Sequence, residues 1–571
     1  MLEHLPPGSL LILGSLFFII LRGRAQKVWL IVLPIVSAIH LLTFSAGTVV
    51  SFNLFGYELA PIRIDRLSLV WGYIFHISAL LSAIFALHVN DRTEHIAAMM
   101  YVGSALSAVF AGDLITLFVF WELTAVTSVF LIWARRTETA YRAGMRYLVI
   151  QVGSGVLLLA GIILHYHATG SLAFDQLIGA DGRLATAGPG VLLIFLAFGI
   201  KAAFPLLHNW LQDAYPEATV SGTVFLSAFT TKLAIYALAR GFAGTEILVW
   251  IGAIMTAFPI FYAVIENDLR RVLAYSLNNQ LGFMVVGIGI GSALSLNGTA
   301  AHAFAHILYK ALLFMSMGAV LYRTGTIKGS ELGGLYKTMP WTAVFCSVGA
   351  ASISAFPLFS GFVSKSLIMS AAAGEHRIAI WLILLFASAG VFHHSGIKIP
   401  FFAFFAHDSG RRPKEAPPHM LLSMGITAAL CILIGIFPGP LYRILPFPVD
   451  YNAYAGGHVL TQMQLLVLSA LAFTVLKLTG IYPPELRSTN LDSDWAYRRL
   501  LPSVVRVCLT VGSQARAELT AAARSAGRWI YGLVFRLHGP EGVFARTWST
   551  GSIAIWAVLG LGLYLLLYFL L

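Results

Sequence analysis

Nine ionisable residues stand in stretches that are otherwise apolar. Glu122 lies near the middle of DLITLFVFWELTAVTSVFLIW. Lys201 lies in GVLLIFLAFGIKAAFPLLHNWLQDAYPEA, with Pro205 four residues on and His208 just beyond it. Lys232 is deep in GTVFLSAFTTKLAIYALARG. His302, His306 and Lys310 recur every four residues in AHAFAHILYKALLFMSMG. Lys365 follows Pro357 and Gly361 in SISAFPLFSGFVSKSLIM, and Lys398 precedes Pro400 in GVFHHSGIKIPFFAFFAHD.

A charge at the centre of a bilayer costs about 2.5–3.5 kcal/mol on insertion scales, so such residues are functional candidates. Glu122 would take up a proton if alone, or stay ionised beside a buried lysine. At about 100° per residue, the His302, His306 and Lys310 side chains form one polar stripe on a helix. Histidines at i and i+4 can ligate zinc, but no acidic residue completes that motif and Lys310 would repel the cation. Histidine and desolvated lysine both titrate near neutrality, so a proton path suits the stripe better. Proline beside a buried lysine, at Lys201 and again at Lys365, points to two interrupted helices of the sort that build midplane ion sites. Snorkelling to the interface is the structural alternative for Lys232 and Lys398; a polar residue satisfied near the boundary is the alternative for His208.

Those side chains must be carried by membrane spans. Of 571 residues, 58% are apolar and only 11% charged, against about 25% charged in soluble domains. That excludes a cytosolic enzyme, a disordered chain and a disulfide-built secreted domain. The three cysteines form no paired motif, so neither a metal centre nor a disulfide framework is indicated. No haem-ligand pair, dinucleotide fingerprint or iron–sulfur set occurs, so no cofactor is expected, although a membrane redox enzyme remains the competing class. The net charge of +12 is explained by basic loops on one side of a membrane rather than by nucleic acid.

Sixteen spans are predicted, among them 28–50, 188–213, 217–240, 340–373 and 377–406. The basic loops 22–27, 135–146, 266–271, 323–337 and 407–415 all follow odd-numbered spans. By the positive-inside rule they are cytoplasmic, which puts both termini on the periplasmic side of a bacterial inner membrane. The segment 481–550 is basic and helical, with Arg516, Arg524 and Arg528 alternating with Leu519, Trp529 and Ile530. It has the pattern of an interfacial amphipathic helix.

The strings FWELTAVTSVFLI, GIKAAFPLLHNWLQDAYPEA, SAFTTKLAIYALA, DLRRVLAYSLNNQLGFM, HAFAHILYKALLF and FPLFSGFVSK occur in this order. Together they resemble the antiporter-like subunits shared by respiratory complex I and the Mrp multisubunit cation/proton antiporters, most closely the D-type Mrp component. The resemblance implies an all-α polytopic fold with two inverted five-helix repeats, at 95–240 and 247–438, each with a broken helix. Around them would stand N-terminal helices (1–94), a further span (439–480), the basic segment (481–550) and a last span (551–571). It also implies a proton path through Glu122, Lys201, Lys232, the His302/His306/Lys310 stripe and Lys365, in a chain that works beside other membrane subunits. The driving reaction would be Na⁺/H⁺ exchange, or alternatively redox chemistry in a complex I-type or hydrogenase assembly. Gln212 stands where the family commonly has proline, and the basic tail is longer than the D-type pattern.

Overall fold

Short polar residues set where the helices begin. Asp65 and Ser68 form a reciprocal capping box, and Asp91, Asp113, Thr137, Thr219, Asp268 and Ser292 each accept a backbone N–H of the first turn. Such caps satisfy donors that lipid cannot. Gly170, Gly291 and Gly325 end three of the long helices in the left-handed region, where a side chain would be strained.

The computed structural model describes residues 5–179, 181–486, 490 and 492–571. In chain order the elements are α1 (Ser9–Ser15), α2 (Gly23–Leu42), β1 (Val49–Leu54), β2 (Tyr57–Arg63), α3 (Arg66–Phe85), α4 (Arg92–Val109), α5 (Leu114–Trp133) and α6 (Glu138–Thr169). Then follow α7 (Gly188–Lys201), α8 (Asn209–Ala214), α9 (Val220–Ala228), α10 (Thr230–Gly241), α11 (Glu246–Ile265), α12 (Leu269–Ile290) and α13 (Ala293–Thr324). The rest are α14 (Pro340–Ile353), α15 (Ser360–Gly374), α16 (Ile378–Val391), α17 (Pro418–Ile436), α18 (Gly439–Ile444), α19 (Gly456–Leu478), α20 (Leu501–His538) and α21 (Thr550–Leu570). Two π-helical turns, Phe392–Lys398 and Phe401–Phe405, continue α16.

Among the described residues eleven helices are long and apolar enough to cross a membrane, where sixteen spans were expected. Three more expected spans hold shorter apolar helices, Ser9–Ile19, Gly188–Lys201 and Pro340–Ile353. The remaining two correspond to α4 and α12, whose Arg92, Glu94, Arg270, Arg271, Asn278, Asn279 and Gln280 dilute their apolar character. The span expected at 28–50 is corrected. Its helix ends at Leu42, and Val49–Arg63 forms an antiparallel hairpin. β-branched residues favour strand here, and Phe55 and Gly56 (φ +53° and +87°) make its two-residue turn, as such hairpins require.

The chain divides into two compact units, residues 1–490 and 491–571. In the first, an 18-residue apolar stretch of α9–α10 is wholly buried and one of α13 is 94% buried, whereas one of α19 is only 11% buried. The ionisable stripe therefore rides on one of the most enclosed helices. α13 packs against α3, α9, α12, α14, α15 and α17. In the second unit, α20 and α21 bury no residue.

Two helices break where lysine and proline pointed. α7 stops at Lys201 and α14 at Ile353. Both breaks contain the tetrapeptide Ala-Phe-Pro-Leu, at 203–206 and 355–358. In each, the alanine and the leucine take positive φ (63° and 68°; 56° and 75°). The phenylalanine N–H reaches back five residues in each, Phe204 to Gly199 O and Phe356 to Ala351 O, both at 3.0 Å. One local device is thus used twice.

Candidate functional site: a buried row of lysine, histidine and glutamate

Lys201, at the C-terminal end of the α7 segment, is fully buried. Its ammonium donates to Trp121 O (2.9 Å) and Thr124 Oγ1 (3.0 Å) and lies 4.2 Å from the centroid of the Trp121 ring. Trp121 is held in turn by Ser154, which donates to Ala197 O. Glu122 follows Trp121 on α5, yet among the described residues it makes no direct ion pair, and its Oε1 is buried without a hydrogen-bond partner. Its carboxyl fills the space over Gly155 on α6, where a Cβ would overlap it. The opposite charges of Glu122 and Lys201 attract one another through space. A carboxylate with one lone-pair set unengaged can still exchange a proton.

His208 stands beyond the first break, 2% exposed, its ring edge-on to Phe258 at 4.6 Å. Lys232 is fully buried in the first turn of α10 and donates to Ser227 O in the last turn of α9. The C-terminal end of a helix, here that of α9, carries partial negative charge and unsatisfied carbonyls, so a cation belongs beside it. The α9–α10 discontinuity at Phe229 was absent from the sequence expectation, which took 217–240 as one span; no proline or glycine marks it.

On α13 the three predicted groups are all fully buried. His302 Nδ1 lies 3.1 Å from Ser364 Oγ and its Nε2 3.2 Å from Gln280 Oε1. Tyr309 donates to the same Gln280 oxygen at 3.1 Å. His306 stacks 6.1 Å from His302, with both its ring nitrogens buried and unpartnered. Lys310 Nζ is likewise buried without a partner. Buried polar atoms of this sort are ordinarily satisfied by ordered water.

Lys365 donates to Ile353 O at 3.2 Å, the carbonyl at which α14 stops, and lies 4.9 Å from the Phe283 ring centroid. It lines a cavity of about 100 Å³ with Ser366, Ser370, His458 and Gln462. Lys398 sits in the first π-helical turn with no exposed side-chain surface and pairs with Glu485 at 3.0 Å. It also donates to Val264 O (2.6 Å) and Glu266 O (2.7 Å), at the end of α11. This placement is inward and fixed, unlike that of a snorkelling lysine. Burial pushes the Glu485 carboxyl above the usual carboxylate range, against the pull of Lys398.

Gly155, Gln280, Tyr309 and Glu485 escaped the sequence reasoning. A helical glutamine, tyrosine or glycine is unremarkable by type, and Glu485 lies outside the spans. The adjacent Asn279 and Gln280 inside an apolar helix were the one available signal. Among the described residues, no group of three His, Cys, Asp or Glu side chains suits a metal ion.

Helices, breaks and buried charges together define an integral membrane protein whose ionisable groups line its own core. Residues 111–392 match the family described as NADH:quinone oxidoreductase/Mrp antiporter, TM. The chain is 32% identical over 352 residues to the D component of the Na(+)/H(+) antiporter of Alkalihalophilus pseudofirmus, covering 59% of this chain and 71% of that protein. It is 27% identical over 428 residues to hydrogenase-4 component B of Escherichia coli, covering 67% of this chain and 63% of that protein. The chain belongs to the NADH:quinone oxidoreductase/Mrp antiporter transmembrane family. A solved Mrp complex from Dietzia sp. DQ12-45-1b has the same fold, with a TM-score of 0.76 at 24% identity, covering 92% of this chain and 62% of that one.

Proposed function

We propose that this chain is a proton-translocating membrane subunit of a multisubunit Na⁺/H⁺ antiporter, of the D type, working beside other membrane subunits. The observation that carries this is the row of five buried lysines, Lys201, Lys232, Lys310, Lys365 and Lys398, of which only Lys398 has a carboxylate within ion-pair distance among the described residues. A fold does not retain that many costly charges for packing alone. Proton arrival at one site raises the electrostatic cost of charge at its neighbours, because such coupling is strong where water is scarce.

Glu122 sets the charge state of Lys201. A proton released from Lys201 passes by Lys232, at the α9–α10 break, to His306, Lys310 and His302. It leaves by Lys365, whose cavity holds Ser366, Ser370, His458 and Gln462 among apolar side chains, or communicates with the other side through Lys398. His208 serves the Lys201 end. The domains follow the repeats at 95–240 and 247–438, which the twice-used Ala-Phe-Pro-Leu break supports. The protein resides in the bacterial inner membrane, with its termini on the periplasmic side, in keeping with the basic loops.

A second driver is favoured by one observation: the match to hydrogenase-4 component B extends over 67% of this chain. In that case redox chemistry in partner subunits drives the same path. Everted vesicles carrying this chain with its neighbouring genes decide between them. Na⁺-dependent proton movement that vanishes in Glu122→Ala is expected. Proton movement that needs a redox donor and ignores Na⁺ would replace the antiporter with the redox-driven assembly.

A further inference from the structure

The π-helical turn that carries Lys398 carries a second buried group, His394, which the path above does not use. Its side chain has no exposed surface. Nδ1 lies 2.9 Å from Ser395 Oγ, and Ser395 donates its own hydrogen to Ser276 Oγ on α12 at 2.8 Å. Having given that hydrogen away, Ser395 can only accept from His394, so the neutral ring carries its proton on Nδ1. Nε2 is then a bare acceptor, and it is buried with no partner. Lys310 Nζ is buried and unpartnered as well.

The charged groups acting on His394 are Lys310 from α13, Lys365 from α15, and His393 and Lys398 from its own element. A buried acceptor and a buried donor left without protein partners are ordinarily satisfied by ordered water. Ser276 lies one helical turn from Gln280, which holds His302, so the same face of α12 supports both imidazoles. A π-helical turn inside an α-helix is commonly a functional device. Here it turns both His394 and Lys398 inward.

The geometry points to His394 as a further proton-relay residue, joining the Lys398–Glu485 pair to the His306–Lys310 stripe. This rests on the proton-path function above. Nε2 accepts a proton arriving from the Lys398 side, giving an imidazolium with both nitrogens protonated. It then releases that proton from Nε2 toward the Lys310 amine and returns to the Nδ1–H form. The same steps run in reverse, and no bond other than N–H changes.

The test uses the whole assembly in everted vesicles, reading the initial rate of proton movement and its pH profile. His394→Asn keeps a donor beside Ser395 but removes the Nε2 acceptor. It should cut the rate at least tenfold while the assembly runs intact on a native gel. Ser395→Ala keeps the imidazole but frees its tautomer; it should slow the rate severalfold and shift the pH profile. An assembled His394→Asn within twofold of wild type overturns the relay. If His394→Asn fails to assemble, Ser395→Ala decides, and an unchanged rate and profile overturns the relay. Loss in Lys201→Ala but not in His394→Asn removes the relay and leaves the path standing. Wild-type vesicles that move no protons with either driver overturn the path, and the relay with it.

Discussion

Glu122 and Gly155 make one unit, because the carboxyl occupies the space that any side chain at 155 would need. Gly155→Ala should therefore displace Glu122 from the neighbourhood of Lys201. Transport is expected to fall about tenfold, since a displacement near 1 Å can cost 10²-fold at a working site. The check is the initial rate in assembled vesicles, compared with Gly153→Ala, where a Cβ meets nothing within 4 Å. The Lys398–Glu485 pair supports a second residue-scale prediction. Removing one member of a buried pair typically costs about 3–5 kcal/mol, because the other is left uncompensated. Lys398→Ala should lower the melting temperature of the purified assembly, and Glu485→Gln added to it should restore part of the loss. Lysines 201, 232, 310 and 365 were legible from type alone, because a charge inside an apolar run is conspicuous. Gly155 was not: its role is the absence of a side chain under a residue that is remote in sequence.

The breaks of α7 and α14 belong to the scale of elements. Ala203 and Leu206 hold left-handed backbone, which costs an L-residue about 1–2 kcal/mol. Leu206 is 75% exposed, so it gives up little packing. Leu206→Gly should leave the assembly as stable as wild type or stabilise it by about 1 kcal/mol in thermal unfolding. Ala203→Val, buried and β-branched at positive φ, should destabilise it. The opposite order would mean that the break is held by side-chain packing and not by backbone conformation. Proline announced both of these breaks in the sequence, joined by Gly361 at the second. The α9–α10 discontinuity and the 49–63 hairpin were silent. The first has no breaker residue, and the second opens on Val49 and Val50, apolar enough to pass for the end of the span expected at 28–50, since periodicity is weak in short apolar runs.

At the scale of the molecule, ties at the ends of the spans hold distant segments together. Asp65 caps α3 and also accepts from Arg240, at the end of α10, at 2.7 Å. Burial raises the Asp65 carboxyl, but Arg240, the Ser68 N–H and Arg63 outweigh it and hold it below its ordinary value. A carboxyl depressed in the folded state adds stability above its unfolded value, about 3.9. That stability is lost as pH falls through the folded value. Melting temperature should therefore decline on acidification below about pH 4, and Asp65→Asn should weaken that decline while lowering stability at neutral pH. The membrane class and the order of the charged groups were legible from composition and spacing. The internal network of Gln280, Tyr309 and Ser364 was not, because it depends on which faces of α12, α13 and α15 meet.

The most direct test of the proton row is Lys232→Ala. Lys232 stands at the α9–α10 break, between the Lys201 end and the histidine stripe, and its ammonium engages a backbone carbonyl rather than a carboxylate. In everted vesicles holding the intact assembly, the row requires that this substitution lower proton movement at least tenfold under whichever driver the wild type uses. An assembled Lys232→Ala complex that moves protons at the wild-type rate would contradict a continuous path through the core.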